Sequence, residues 1–133
     1  MREDYRVQGL SLSHNPVGMV RARLDTEGFV TAAGVSALPA GRTIRVAGMV
    51  AHRQRPGTAK GVVFMTLEDE TGLLNVVVKP HTFEKQRKVI VEHNLLEITA
   101  KVQRDGHSVS LLATRFSPLE APDPGRVKSR DFR

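Results

Sequence analysis

Between residues 42 and 116 the apolar residues fall on every second position, in runs of seven to twelve cut by glycine, proline and Asp-Gly signals. That texture constrains the chain more than any other feature. Period-2 alternation exposes one face of a strand and buries the other, and short runs at this spacing close into an all-β barrel or sandwich. Strand one reads as Thr43 to Gln54, with Ile44, Val46 and Val50 on one face and Arg45 on the other. Gly48 interrupts it, as a bulge or sharp bend requires. Strand two is Val62 to Glu68, strand three Leu73 to Lys79, and the turn between them is Asp69-Glu70-Thr71-Gly72. Pro80 stops the sheet, and Thr82 to Val91 reads as a helix with Phe83, Val89 and Ile90 apolar. Strand four is Leu95 to Gln103, with Leu96, Ile98, Ala100 and Val102 on one face. Asp105-Gly106 supplies a hairpin turn, and strand five is His107 to Phe116.

The order β-β-β-α-β-β, with a glycine where strand one must coil, is that of a mainly-β, five-stranded OB-fold Greek-key barrel. An SH3-like barrel is the structural rival, and the helix between strands three and four argues against it. Residues 1–41 read as a helical and linker segment. Ser13 is placed to cap a helix with Pro16 in its first turn and Val17, Val20, Ala22 and Leu24 on its apolar face. Gly28 stops it, a second short turn covers Thr31 to Leu38, and Pro39-Ala40-Gly41 forms the linker. Residues 117–133 carry Pro118, Pro122, Pro124 and Gly125 and read as a flexible polar tail that forms neither strand nor helix.

Charge points to an anionic partner. The chain carries +6 at neutral pH, with 20 Lys and Arg against 14 Asp and Glu. Residues 42–116 hold twelve basic and seven acidic residues, residues 1–41 balance four against four, and the tail holds four against three. The anion-attracting surface therefore belongs to the barrel, and nucleic acid is the commonest partner of a small basic module. Arg53, at the end of strand one, and Arg55 and Lys60, in the loop after it, flank Pro56, Gly57 and Gly61. Arg104 lies at the second hairpin, with Lys101 on the adjoining strand. In OB folds those two loops and the face of strands two and three hold oligonucleotides. A single strand also needs a π-face for its bases. Phe64, in register with Thr66 and Glu68 and opposite to Val63, Met65 and Leu67, points at that surface.

The remaining chemistry is sparse. With no cysteine the chain has no disulfide, thiolate metal site or Cys nucleophile, which suits a reducing cytoplasm. No apolar run reaches signal-peptide or membrane-span length, so the expected setting is soluble and intracellular, away from membranes. The histidines at 14, 52, 81, 93 and 107 lack metal-ligand spacing, and no cofactor or metal is expected. Gly57 and Gly61 are not followed by the Lys-Ser/Thr of a phosphate-binding loop, and no nucleophile elbow is present. Glu68-Asp69-Glu70 is the one carboxylate cluster, and before Thr71-Gly72 it reads as turn chemistry. No catalytic residue is assigned.

Three runs carry a family resemblance. These are Val46-Ala47-Gly48-Met49-Val50, Arg53-Gln54-Arg55-Pro56-Gly57-Thr58-Ala59-Lys60-Gly61 and Phe64-Met65-Thr66-Leu67-Glu68-Asp69-Glu70-Thr71-Gly72. They resemble the OB domain near the C-terminus of bacterial family C DNA polymerases, the replicative polymerase III alpha subunit and its error-prone paralogue. The Arg-Gln-Arg-Pro-Gly-Thr-Ala-Lys-Gly form is closer to the error-prone branch. So are the Tyr5-Arg6, Gly9-Leu10-Ser11-Leu12, His14 and Pro16 pattern and the closing Ser129-Arg130-Asp131-Phe132. The Leu-Glu-Asp-Glu-Thr-Gly element is shared with many OB domains, the anticodon-binding domains of some aminoacyl-tRNA synthetases included.

The resemblance implies a fragment or remnant without catalysis of its own, since the family's palm aspartates and its metal-dependent PHP domain have no match here. In the parent, a duplex-gripping helix-hairpin-helix region precedes residues 1–38, and the barrel meets single-stranded template during damage-tolerant synthesis. The alternative is a module docking the polymerase to accessory proteins. An anticodon-type RNA binder and an OB-fold nuclease are further alternatives.

Overall fold

A computed structural model describes residues 15–54 and 61–120. The five strands are β1 (Thr43–Gln54), β2 (Val63–Asp69), β3 (Gly72–Val78), β4 (Leu95–Asp105) and β5 (Ser108–Pro118). They close in the order β1-β2-β3-β5-β4, antiparallel except between β3 and β5. Of the residues that alternation placed on one face, Val46, Met65, Leu67, Leu96, Ile98, Ala100 and Val102 are buried, and Val76, Val78 and Leu111 join them in the core. The five-stranded OB-type barrel expected from the sequence is the fold observed.

β1 serves two neighbours, which is what lets one sheet curl shut. Thr43 to Met49 pair with β4, and Met49 to Gln54 pair with β2. Gly48 sits at the changeover. A Cβ there would lie 2.9 Å from the Leu67 Cβ, inside the contact limit, so the crossing requires glycine. The bulge itself is three residues on. Val50 pairs with Leu67 and His52 with Thr66, leaving Ala51 as the extra residue.

The β3–β5 closure is short, with only Val76–Leu111 and Val77–Leu112 in register. A helix fills the rest. α3 (Pro80–Glu92) starts with Pro80 at its first position, where proline is pre-shaped for a helix, rather than two residues later. It buries Phe83 and Ile90 and departs from helical geometry at Gln86. Gln86 turns its side-chain amide onto β5, donating to Thr114 O at 3.1 Å and accepting from Phe116 N at 2.7 Å. The amide thus supplies one rung of ladder where β3 has ended.

The N-terminal segment packs on the barrel. A 3-10 helix (Pro16–Val20) leads into α1 (Arg21–Thr26), and α2 (Ala32–Val35) follows. The observed cap is Asn15, whose side chain accepts from Val17 N at 2.8 Å; Ser13 lies outside the described residues. Val17, Leu24 and Phe29 bury against Ala47, Leu95 and Leu119 in a second small core, whereas Ala22, expected on the apolar face, is exposed. β5 also runs through Ser117 and Pro118, and Leu119 is buried. Pro118 is tolerated because it ends its strand, where a missing N–H costs least. No helix among the described residues is long and apolar enough to cross a membrane.

Candidate nucleic-acid interface

Cross-strand register places one outward row over β1, β2 and β3: Gln54 opposite Phe64, and Phe64 opposite Val77. The next row is His52, Thr66 and Asn75. These six residues line a groove of about 370 Å³ on the outside of the barrel. Phe64 is 40% exposed at its centre, as its register required. The strand below it alternates buried and open, so the ring stands on the surface while Val63, Met65 and Leu67 fill the core. A ring held on a β-strand and flanked by two amides and a hydroxyl can stack one planar base and offer hydrogen bonds to its edge.

The other expected site residues divide. Arg55 and Lys60 lie outside the described residues. Arg53 pairs with Met65 and so belongs to the opposite set of β1 positions from His52 and Gln54. Its Nη2 donates to Ile90 O at 3.0 Å and His93 O at 3.1 Å, closing the C-terminal end of α3. Arg104 donates through Nε to Leu38 O at 3.0 Å and through Nη2 to Ser36 O, tying the β4–β5 hairpin to the chain after α2. Lys101 is exposed and pairs with Leu112, which is in turn opposite Val77. It therefore stands two strands beyond β3, round the barrel from Phe64.

Asp69 is fully buried and accounts for the carboxylate cluster. Its Oδ1 accepts from Thr71 N and Thr71 Oγ1, both at 2.7 Å, and from Gly72 N at 3.1 Å. Its Oδ2 accepts from Ala32 N at 2.8 Å and Arg21 Nη2 at 3.3 Å. Arg21 also grips Glu70, at 2.6 Å and 3.0 Å. The Arg21 hydrogen bond, the largest influence, holds the Glu70 carboxyl below the usual carboxylate range. The turn reading was accessible from Asp-x-Thr-Gly. The Arg21 clamp was not, because it joins residues about fifty apart with no local signal. Among the described residues no group of three or more His, Asp or Glu could hold a metal.

Residues 44–119 match the OB-fold nucleic acid binding domain of the tRNA anti-codon type. The chain belongs to that family. This OB domain is also similar in sequence to error-prone DNA polymerases. It is 45% identical over 130 residues to that of Azoarcus sp. (strain BH72), covering 97% of this chain and 12% of the relative. With that of Dechloromonas aromatica (strain RCB) it shares 47% over 131 residues, covering 97% and 13%. The chain thus spans about an eighth of the length of these relatives. What it spans is an OB-fold domain. In fold it resembles asparaginyl-tRNA synthetase from Pyrococcus horikoshii, with a TM-score of 0.56 and 21% identity over 71% of this chain and 23% of that one. It also resembles the S. pombe Stn1-Ten1 complex, with a TM-score of 0.51 and 23% identity over 69% of this chain and 68% of that one.

Proposed function

We propose that this OB domain binds single-stranded DNA template for an error-prone DNA polymerase engaged in damage-tolerant synthesis in the cytoplasm. The observation that carries the reading is Phe64, exposed at the centre of the β1–β2–β3 groove in a chain 45% identical to such polymerases. Phe64 stacks a base. Gln54, Thr66 and Asn75 meet whatever edge is presented, and Arg55 and Lys60 in the following loop contact phosphates. Lys101 and the N–H groups that Arg53 and Arg104 leave over add charge further out. Binding of this kind tolerates sequence and weakens with salt.

Fluorescence anisotropy of a labelled oligo-dT strand tests it. Salt-sensitive binding is expected, with a log–log slope near about −2.8 if about four phosphates are neutralised. Phe64→Ala should cost about 1–3 kcal/mol of binding. Tighter binding to an anticodon stem-loop than to DNA, or affinity indifferent to Phe64, would overturn the reading.

Docking of accessory proteins has its own observation. Leu73 is 63% exposed beside a second, smaller depression lined by Ala32, Val35, Asn75 and Val109. Leu73→Asp would abolish partner binding on that reading and leave oligonucleotide binding intact.

A further inference from the structure

The groove carries no cation of its own among the described residues that line it. Its lining among the described residues is His52, Gln54, Phe64, Thr66, Asn75 and Val77, with Met65 and Val76 beneath, and none of these is Lys or Arg. Arg53 and Arg104, the expected cations of the two flanking loops, donate to backbone carbonyls. A single strand whose base lies on Phe64 carries its phosphate within a few ångströms of the same ring. The nearest cation therefore matters more than the total charge.

The outward row along β3 supplies a cation at the rim of the groove. Leu73, Asn75 and Val77 alternate with buried Leu74, Val76 and Val78. The backbone stays extended at Lys79, with φ −68° and ψ 154°, so Lys79 is the next residue on the outward side. It stands two residues from Val77, about 7 Å along the strand. Val77 is the direct partner of Phe64, and buried Val78 pairs with Val63. Lys79 is exposed, and no salt bridge among the described residues claims it. Gly61, just before β2, also lies at this end, since a Cβ on it would stand 3.3 Å from Pro80. The opposite end of the same face carries Glu68, paired with Leu73. Lys79 and Glu68 thus stand at opposite ends of the face.

We infer that Lys79 is a further phosphate-binding residue of the Phe64 groove, fixing the DNA backbone at the end of the groove where α3 begins. The inference rests on the single-strand reading above and adds to it a residue and a direction. It explains how a groove whose described lining holds no lysine or arginine takes up a polyanion: the base occupies the groove and the phosphate its rim.

The test uses the full chain and a labelled oligo-dT strand, titrated across salt. Lys79→Gln should weaken binding about eightfold at about 50 mM salt and reduce the magnitude of the log–log slope by about 0.7, one phosphate's share. Lys88→Gln, an exposed lysine further along α3, is the control for net charge and should change neither value as much. If Phe64→Ala weakens binding but Lys79→Gln matches the control, the Lys79 assignment fails and the groove reading survives. If the folded wild-type chain binds no oligonucleotide at low salt, both fail. Equal losses in Lys79→Gln and Lys88→Gln would also overturn the assignment, since they report only overall charge.

Discussion

Asp69 shows how much one side chain can organise. It has no solvent exposure, yet its two oxygens receive five hydrogen bonds, from Thr71 twice and from Gly72, Ala32 and Arg21. A buried carboxylate is tolerable only when paired and fully bonded, and here both conditions hold. Asp69→Asn keeps the shape but sets an amide N–H2 against donors that need an acceptor. It should destabilise the fold by about 3 kcal/mol in urea denaturation, the range for breaking a buried pair. A loss below about 1 kcal/mol would show that the turn, not the charge, carries the stability. The turn half of this arrangement was legible because Asp, Thr and Gly at that spacing bond one another locally. The half that anchors Ala32 and Arg21 was not, because long-range pairing leaves no period in a sequence. Phe64 was legible for the opposite reason: its outward position follows from alternation along one strand.

Strands and helix divide along the same line. The strand limits could be read to within a residue or two because alternation and Gly/Pro punctuation are local. The changeover on β1 could be located at Gly48 but not explained until Leu67 was seen beneath it, 2.9 Å from where a Cβ would stand. Gly48→Ala must push β1 and β2 apart at the crossing. It should cost about 1–3 kcal/mol by thermal or urea unfolding, the usual range for overpacking. An unchanged midpoint would mean that the strands separate freely there. Arg53 marks the limit of reading a site from charge. Its guanidinium satisfies Ile90 O and His93 O at the end of α3, carbonyls that a helix terminus leaves without partners. Arg53→Ala should therefore lower stability by about 1 kcal/mol. Its effect on oligo-dT affinity should be smaller than that of Phe64→Ala. A stable Arg53→Ala variant that no longer binds DNA would return Arg53 to the interface.

At the scale of the molecule, the small core of Val17, Leu24, Phe29, Ala47, Leu95 and Leu119 joins the N-terminal segment to the barrel, and two carboxylates along that junction respond to pH in opposite directions. Glu70, hydrogen-bonded by Arg21, has its folded-state pKa lowered. In the unfolded chain it titrates near about 4.3. The unfolded state therefore binds the proton first as pH falls, so the Arg21–Glu70 contribution is complete above about pH 5 and is lost as pH drops through the folded value. Glu97 behaves the other way. Burial raises its pKa, ahead of the neighbouring charges of Arg23, Glu27, Arg45 and Glu120. Its folded form holds the proton more tightly than the unfolded chain, so Glu97 costs stability once pH rises through that raised value. Glu97→Gln removes the penalty and Glu70→Gln removes the benefit. Urea unfolding at pH 7 should therefore find Glu97→Gln more stable than wild type and Glu70→Gln less stable. Below the pKa of both groups, each difference should shrink, because the wild-type carboxyls are then protonated too. Parallel pH profiles for the two variants would refute the assignment, since the opposite signs come from opposite causes, an arginine partner for one and burial for the other.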